Sequence, residues 1–171
     1  MLFRSETPKA SKVTLNKTKI TIGAKEKVKL KAAVKPANAS QKVTWSSNKK
    51  SVVKVTSKGE ITGRKPGKAT ITVKTANGKK SYCKVTVKKA PKAISISTKT
   101  KDLKKGKSWR IKVNFPSKTA SYRLKYKSYN SSVAVVSSTG KVTAKKKGKA
   151  TIKVTTFNGK SAKIVINVKK K

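Results

Sequence analysis

Residues 59–78 read G-E-I-T-G-R-K-P-G-K-A-T-I-T-V-K-T-A-N-G, and residues 140–159 read G-K-V-T-A-K-K-K-G-K-A-T-I-K-V-T-T-F-N-G. The second stretch lies 81 positions after the first, and glycines stand at both ends and at one shared interior position of each. Self-similarity at a fixed spacing indicates a repeated structural unit. The chain therefore contains one unit twice.

Each copy of this stretch is predicted to form strands joined by tight turns. Gly59 and Gly140 each follow a short polar run, where a residue free to adopt positive φ lets the chain reverse. Asn77-Gly78 and Asn158-Gly159 predict hairpins with type I′ turns, in which both central residues have positive φ. Between these turns, apolar residues alternate with Thr and Lys, as in a strand with one buried face. The alternating residues are Ala69, Ile71 and Val73 in one copy and Ala150, Ile152 and Val154 in the other.

The flanking sequence extends the same pattern and predicts an all-β sandwich. Residues 13–22 alternate in two short runs and indicate an edge strand broken in two, whereas residues 28–34 indicate one continuous amphipathic strand. Trp45 and its equivalent Tyr126 share the phase of apolar neighbours, which favours core packing over carbohydrate stacking. With no helical periodicity and turn signals every 8 to 12 residues, seven or eight strands are expected in each unit.

Domain boundaries follow from the repeat. Residues 1–12 show no periodicity and are interpreted as an N-terminal linker or tail. Residues 13–90 and 91–171 are expected to be two sandwich domains, with a short junction around Pro91. No stretch approaches the roughly 20 apolar residues of a membrane-spanning helix, and the first four residues are too short for a signal peptide. An export signal is therefore not expected within this sequence.

The composition is strongly basic. The 171 residues include 47 Lys and Arg against four acids, which gives a formal net charge of +43. Such a charge by itself favours disorder, but the apolar residues keep a period of two, which a disordered polycation has no reason to show. Because only four of the basic residues are Arg, the charge consists of diffuse lysine ammonium groups rather than planar guanidinium forks. The lysine content has two open interpretations: it serves a ligand, or it reflects a lysine-rich host composition.

The side chains present exclude most catalytic chemistry. The chain has no His, and its four carboxylates, Glu6, Glu26, Glu60 and Asp102, are spread over different segments. Glycosidases need two facing carboxylates, hydrolase triads need a base, and zinc or calcium needs several converging ligands. No catalytic site, metal site or cofactor is therefore expected. The single cysteine, Cys83, aligns with Ile164 and is predicted to be a buried thiol.

Two runs carry a family resemblance. Residues 43–73 read V-T-W-S-S-N-K-K-S-V-V-K-V-T-S-K-G-E-I-T-G-R-K-P-G-K-A-T-I-T-V, and residues 124–154 read L-K-Y-K-S-Y-N-S-S-V-A-V-V-S-S-T-G-K-V-T-A-K-K-K-G-K-A-T-I-K-V. Both resemble the bacterial immunoglobulin-like domain, group 2. The resemblance implies two tandem Ig-like sandwiches and a module of exported bacterial proteins, such as adhesins of the intimin and invasin type or accessory domains of surface enzymes. It implies no shared catalytic motif.

Three functional hypotheses follow: a non-catalytic spacer or adhesion module at the bacterial surface, a general polyanion binder, and an enzyme, which the missing side chains oppose. The first hypothesis has anionic cell-wall polymer or a surface glycan as partner, and it describes a monomeric part of a larger extracellular protein. An Arg-poor surface argues against sequence-specific nucleic-acid recognition. Candidate polyanion contacts lie in a turn and at the end of the chain, and their alternative interpretation is a solvated turn and tail. They are Lys145, Lys146, Lys147, Lys169, Lys170 and Lys171.

Overall fold

Two units make up the chain. The computed structural model describes residues 7–170, and all the regular secondary structure assigned within them is β-strand. The chain divides into Met1–Lys89 (unit 1) and Ala90–Lys171 (unit 2). The prediction of an all-β fold is confirmed.

Unit 1 is built from nine strands among its described residues. These are β1 (Lys12–Leu15), β2 (Lys19–Gly23), β3 (Lys27–Lys29), β4 (Ala32–Lys35), β5 (Val43–Ser47), β6 (Val53–Val55), β7 (Glu60–Gly63), β8 (Gly67–Thr75) and β9 (Lys80–Lys88). They form a four-stranded sheet in the order β2-β9-β8-β5, a three-stranded sheet in the order β3-β7-β6, and the pair β1-β4. The pair β2-β9 is parallel, and the other pairs are antiparallel.

Unit 2 repeats this arrangement. Its strands are β10 (Ser95–Ile96), β11 (Thr100–Lys104), β12 (Ser108–Arg110), β13 (Val113–Asn114), β14 (Leu124–Ser128), β15 (Ala134–Val136), β16 (Lys141–Ala144), β17 (Gly148–Thr156) and β18 (Ser161–Lys169). The sheets are β11-β18-β17-β14, β12-β16-β15 and β10-β13. The bounds of seven strands match those of unit 1 after a shift of 81 residues. The repeat in sequence is therefore a repeat in structure.

The alternating residues of the long hairpins form the cores. In unit 1, Ile71 and Val73 of β8 and Cys83 of β9 are fully buried, while the residues between them are exposed or partly buried. In unit 2, Ile152, Val154 and Ile164 occupy the equivalent positions and are buried to the same degree. Burying a large aliphatic side chain contributes roughly 1.5–3 kcal/mol. These central hairpins therefore anchor each sandwich.

The continuous strand predicted over residues 28–34 is wrong. The segment forms two strands, because β3 pairs with β7 whereas β4 pairs with β1 in a different sheet. Leu30 lies at the crossing, fully buried, and its N–H donates to Gly59 O at 2.9 Å. Apolar alternation continues through the crossing because each strand buries one face, Val28 and Leu30 in one hydrophobic cluster and Val34 in another. Periodicity reports which face is buried, and it does not report which sheet a strand joins.

The hairpins at Asn77 and Asn158 form as predicted, but their turn type differs. Gly78 and Gly159 have φ of 89° and 82°, whereas neither Asn is among the positive-φ residues. Gly78 N–H donates to Thr75 O at 3.0 Å, and Thr75 N–H donates to Lys79 O at 2.9 Å. This pattern is that of a type I turn followed by a left-handed glycine. One residue with positive φ suffices because the loop is longer than the two residues of a type I′ hairpin.

The predicted N-terminal linker, residues 1–12, falls partly outside the described residues, which begin at residue 7. Within its described part, Lys12 begins β1 and Ala10 is buried with 9% of its surface exposed. Asn77 Nδ2 donates to Ala10 O at 2.6 Å. The packing of unit 1 therefore includes residues ahead of residue 13.

Candidate anion-binding site

A lysine-lined concavity of about 600 Å³ lies in unit 2. Its lining consists of Lys105, Lys146, Lys147 and Lys170. These residues come from the β11–β12 turn, the β16–β17 turn and the segment after β18. Compact ammonium groups on long, flexible side chains attract phosphate and carboxylate oxygens without imposing a planar geometry. The concavity is therefore suited to an oxyanion rather than to a base edge.

Backbone hydrogen bonds bring these three segments together. Lys105 N–H donates to Lys169 O at 3.1 Å, and Gly106 N–H donates to Ala144 O at 2.9 Å, which fastens the β11–β12 turn to β18 and β16. The β16–β17 turn is held because Lys145 N–H and Lys146 N–H both donate to Val133 O, at 2.8 and 3.2 Å. The backbone that carries the lysines is thus fixed, while their side chains stay long and adaptable.

The predicted contact residues divide into three groups. Lys146, Lys147 and Lys170 line the concavity, whereas Lys145 and Lys169 are not part of its lining. Lys171 lies outside the described residues. Lys105 was missed in the sequence, although Lys104-Lys105-Gly106-Lys107 is a basic run at a glycine turn, the same signal that singled out residues 145–147. Its neighbourhood depends on a pairing between distant strands, which a local run does not show.

Lys169 forms an ion pair with Asp102. Its Nζ lies 2.6 Å from Asp102 Oδ2, and Asn167 Nδ2 donates to Asp102 Oδ1 at 3.0 Å. The hydrogen bond from Lys169, followed by the one from Asn167, lowers the pKa of the Asp102 carboxyl. A carboxyl whose pKa is lowered on folding stabilises the folded unit above its unfolded pKa, and this contribution is lost as the pH falls through the folded pKa. The pair is exposed, so its contribution is small.

The remaining described carboxylates also have local structural partners. Glu26 is fully buried, and its Oε2 accepts a hydrogen bond from Gly23 N–H at 2.8 Å in the turn after β2. Glu60 Oε1 lies 3.8 Å from Lys27 Nζ across the β3–β7 pair. Residues 7–170 contain no group of three His, Cys, Asp or Glu side chains that would hold a metal ion. Each described carboxylate is therefore engaged in a local structural contact.

The structure also places the thiol and the aromatic side chains. Cys83 is buried as predicted, and burial raises the pKa of its thiol. Trp45 and Tyr126 pack against the cores of their units, which confirms the core interpretation, and burial raises the pKa of Tyr126. A Cβ added to Gly59 would lie only 2.7 Å from the nearest ring atom of Trp45, and one added to Gly140 would lie 2.8 Å from the nearest ring atom of Tyr126. Both glycines have the predicted positive φ, so close approach and backbone conformation together require glycine.

The profile of the family described as bacterial Ig-like domain (group 2) matches the chain twice, at residues 9–85 and 90–166. The two matches cover most of the chain and confirm the resemblance found in the sequence. The described residues contain no helix that would reach across a lipid bilayer.

Curated relatives are much longer than this chain. An α-L-arabinofuranosidase of Bifidobacterium longum is 48% identical over 71 residues, which cover 40% of this chain and 7% of that protein. A lacto-N-biosidase of Bifidobacterium bifidum is 40% identical over 88 residues, which cover 48% of this chain and 8% of that protein. An uncharacterized protein of Clostridium acetobutylicum is 29% identical over 163 residues, or 93% of this chain and 17% of that protein. The matched part thus spans less than a fifth of each relative.

Solved structures with similar folds include a surface layer protein and a fragment of intimin. Domains 1–6 of the surface layer protein SbsC match with a TM-score of 0.42 and 21% identity, covering 97% of this chain and 29% of that one. A C-terminal fragment of intimin, in complex with the intimin-binding domain of its translocated receptor, matches with a TM-score of 0.38 and 17% identity. That match covers 94% of this chain and 64% of the fragment.

Proposed function

The chain belongs to the bacterial Ig-like domain (group 2) family, and from this premise we propose that it is a non-catalytic tandem module of a bacterial surface or secreted protein. As such it serves as a structural spacer or an adhesion unit. Two observations support the proposal: two consecutive copies of the domain fill the chain, and the relatives are far larger proteins in which this part is a small fraction. The described carboxylates, each held by a local structural contact, agree with a module that does no chemistry of its own.

The partner we propose is anionic cell-wall polymer. The observation that carries this proposal is the concavity lined by Lys105, Lys146, Lys147 and Lys170, with the nearby Asp102 already paired to Lys169. Each exposed Lys–oxyanion contact is worth about 0–1 kcal/mol. Many such contacts along a polymer fixed to a surface add through effective concentration, so weak single contacts suffice for retention.

The second candidate function is general polyanion binding, with nucleic acid or acidic polysaccharide as ligand. The net charge of +43 favours it, because any polycation attracts polyanions at low ionic strength. The two candidates differ in what remains bound at physiological salt. A surface module is expected to retain wall polymer there. Its lysines would hold duplex DNA only through salt-sensitive phosphate contacts, and they offer no means of reading sequence.

The test compares immobilised wall polymer rich in teichoic acid with duplex DNA of matched charge density at about 150 mM salt, near physiological ionic strength. We expect the wall polymer to be retained and the DNA to be largely released. Replacing Lys146, Lys147 and Lys170 with Gln should weaken retention by roughly tenfold, since three weak charge contacts are lost. A matched variant with Lys112, Lys125 and Lys163 replaced by Gln removes the same charge elsewhere on unit 2. If both triple variants lose the same amount, or if DNA is held at least as tightly, the wall-polymer proposal is wrong.

A further inference from the structure

A second lysine-rich concavity, of about 460 Å³, lies on unit 1. It involves the outward face of the sheet β2-β9-β8-β5, on the opposite side from the core. Four of its lining residues are lysines and two are threonines. They are Lys19, Lys49, Lys68, Lys84, Thr70 and Thr86.

The strand register places these lysines close together. Lys19 of β2 is the direct partner of Lys84 of β9, and Lys84 is in turn the partner of Thr70 on β8. Neighbouring strands lie about 4.8 Å apart, so the Cβ atoms of Lys19 and Lys84 are near neighbours. Lys68 is two residues from Thr70, which makes it a diagonal neighbour of Lys84 at about 7–8 Å. Three ammonium side chains therefore rise from adjacent positions on one face.

The fourth lysine is positioned by a side chain that ties a turn to the sheet. Asn48 Oδ1 accepts a hydrogen bond from Thr70 N–H at 2.7 Å, and Asn48 N–H donates to Thr70 O at 3.1 Å. These two bonds fasten the turn after β5 beside β8. Lys49, the next residue, is thereby held at the rim of the same concavity.

No carboxylate is among the residues that line this concavity. The described acids of unit 1 are Glu26, which is buried in the turn after β2, and Glu60, which faces Lys27 in the other sheet. Like charges placed directly across a strand pair, as Lys19 and Lys84 are, are destabilising. An oxyanion bound between them would relieve this repulsion.

An exposed aromatic residue shares the face. Tyr82 precedes Lys84 by two residues on β9, so their side chains point to the same side of the sheet about 7 Å apart. Tyr82 is 53% exposed, and it is the only large hydrophobic side chain exposed among the described residues of unit 1. A tyrosine combines an apolar ring face with a polar tip and is enriched at binding surfaces. Beside threonine hydroxyls and ammonium groups, such a ring suits a sugar that carries charge.

The second copy shows that neither the fold nor the lysine content requires this cluster. On the same face of unit 2, only Lys149 keeps the charge of its counterpart Lys68. The replacements at the other positions are Thr100 for Lys19, Asn130 for Lys49, Val165 for Lys84 and Lys163 for Tyr82. Unit 2 has its own opposed lysines and the exposed Tyr129 at other positions, so what is specific to unit 1 is this set of residues and not lysines beside an exposed ring in general.

We propose that this face of unit 1 is a binding site for an oxyanion-bearing glycan, with its phosphate or carboxylate groups among Lys19, Lys49, Lys68 and Lys84 and a sugar ring on Tyr82. The inference deepens the proposed function, on which it rests for the class of partner. It differs from that function in its location on the other unit and in a contribution from the sugar in addition to the charge.

The test is a titration of the complete chain, followed through the backbone amide signals of β8 and β9 in NMR spectra at about 150 mM salt. Soluble teichoic acid supplies sugar-containing phosphate polymer, polygalacturonate supplies carboxylate, polyphosphate supplies charge without sugar, and dextran supplies sugar without charge. We expect both anionic glycans to shift the unit 1 signals and dextran to leave them unchanged. A response to only one glycan identifies phosphate or carboxylate as the preferred group. No shift with either glycan overturns the proposal.

Two variants separate the parts of the site. Replacing Lys19, Lys49 and Lys84 with Gln should raise the Kd of unit 1 for the glycans roughly tenfold, whereas Gln at Lys149, Lys153 and Lys163 on the equivalent face should leave it unchanged. Tyr82→Ala should raise the glycan Kd about threefold without altering the response to polyphosphate, with Tyr129→Ala in unit 2 as its control. Equal losses in the variant and its control would overturn the proposal, as would an unchanged glycan Kd in Tyr82→Ala.

Repeating the titration with Lys146, Lys147 and Lys170 replaced by Gln distinguishes this site from the one on unit 2. If the glycans still shift the unit 1 signals of this triple variant, the unit 1 site is independent, even where the variant is no longer retained on cell-wall polymer. Loss of the unit 1 shifts there means that binding depends on unit 2, and the assignment to unit 1 is then wrong.

Discussion

Asn77 and Asn158 connect the central hairpin of each unit to the segment that precedes it. Asn77 Nδ2 donates to Ala10 O at 2.6 Å, and Asn158 Nδ2 donates to Pro91 O at 2.8 Å. In each unit the same asparagine accepts a hydrogen bond from a nearly buried threonine, Thr75 or Thr156, at 2.7 Å. The Asn-Gly pairs therefore do more than form a turn, because the asparagine side chains hold the entering chain against the hairpin.

We expect Asn77→Ala to destabilise unit 1 by about 1–3 kcal/mol, because it removes both bonds and leaves partly buried polar groups without their partner. For a unit of this size, each kcal/mol lowers the Tm by about 4–8 °C. Asn158→Ala should do the same to unit 2, and Asn38→Ala, at an exposed position, is the control. Calorimetry of the complete chain measures all three variants. An unchanged transition in Asn77→Ala would show that the bonds contribute nothing net.

Local runs of lysine predicted part of the candidate site. Lys146, Lys147 and Lys170 were found because they belong to consecutive basic residues in a turn and near the end of the chain. Lys105 and the unit 1 cluster were missed because their members meet through strand register and turn contacts across the fold. Lys169 was selected by the same run as Lys170, but its ion pair with Asp102 depends on the parallel pairing of β11 with β18. Spacing along the chain does not reveal such neighbours.

Like-charged pairs across the strands are a feature of the long hairpins. Lys153 of β17 lies directly opposite Lys163 of β18 on one side and Lys127 of β14 on the other. Lys74 and Lys80 face each other in the equivalent hairpin of unit 1. Directly opposed like charges are destabilising, and few acids are available to offset them. The sheets are therefore held by their cores against repulsion on their outward faces.

We expect the Tm to rise between 20 and 500 mM sodium chloride, since salt shortens the Debye length from tens of ångströms to a few. Lys153→Glu converts two like-charged pairs into opposite ones and should stabilise unit 2 by roughly 1 kcal/mol at low salt. That gain should shrink at high salt. Lys153→Gln only removes the charge, so its Tm at low salt should lie between those of the unchanged chain and of Lys153→Glu. Thermal denaturation monitored by circular dichroism provides the measurement. A Tm that stays flat or falls with salt contradicts this account.

At the scale of the whole chain, the repeat made the architecture predictable. A fixed spacing of 81 residues, alternation and paired turn glycines predicted the all-β class and the tandem arrangement. The division of the segment over residues 28–34 between two sheets was not predictable, because the core-facing pattern is the same on both sides of the crossing. The sequence therefore specifies which residues face the core, and the three-dimensional pairing determines which lysines meet on the outside.

Each unit carries a complete set of strands and its own core, so we expect residues 7–89 and 90–171 to fold when expressed separately. Starting the first fragment at residue 7 keeps Ala10, which is buried and bound by Asn77; a fragment starting at residue 13 should therefore be less stable, by a margin similar to that of Asn77→Ala. Calorimetry and far-ultraviolet circular dichroism of the three fragments measure these effects. Cooperative melting of both complete units, near the transitions of the whole chain, is the expected result. Loss of cooperative melting in either one would mean that the copies depend on each other and that the tandem, rather than the single domain, is the folding unit.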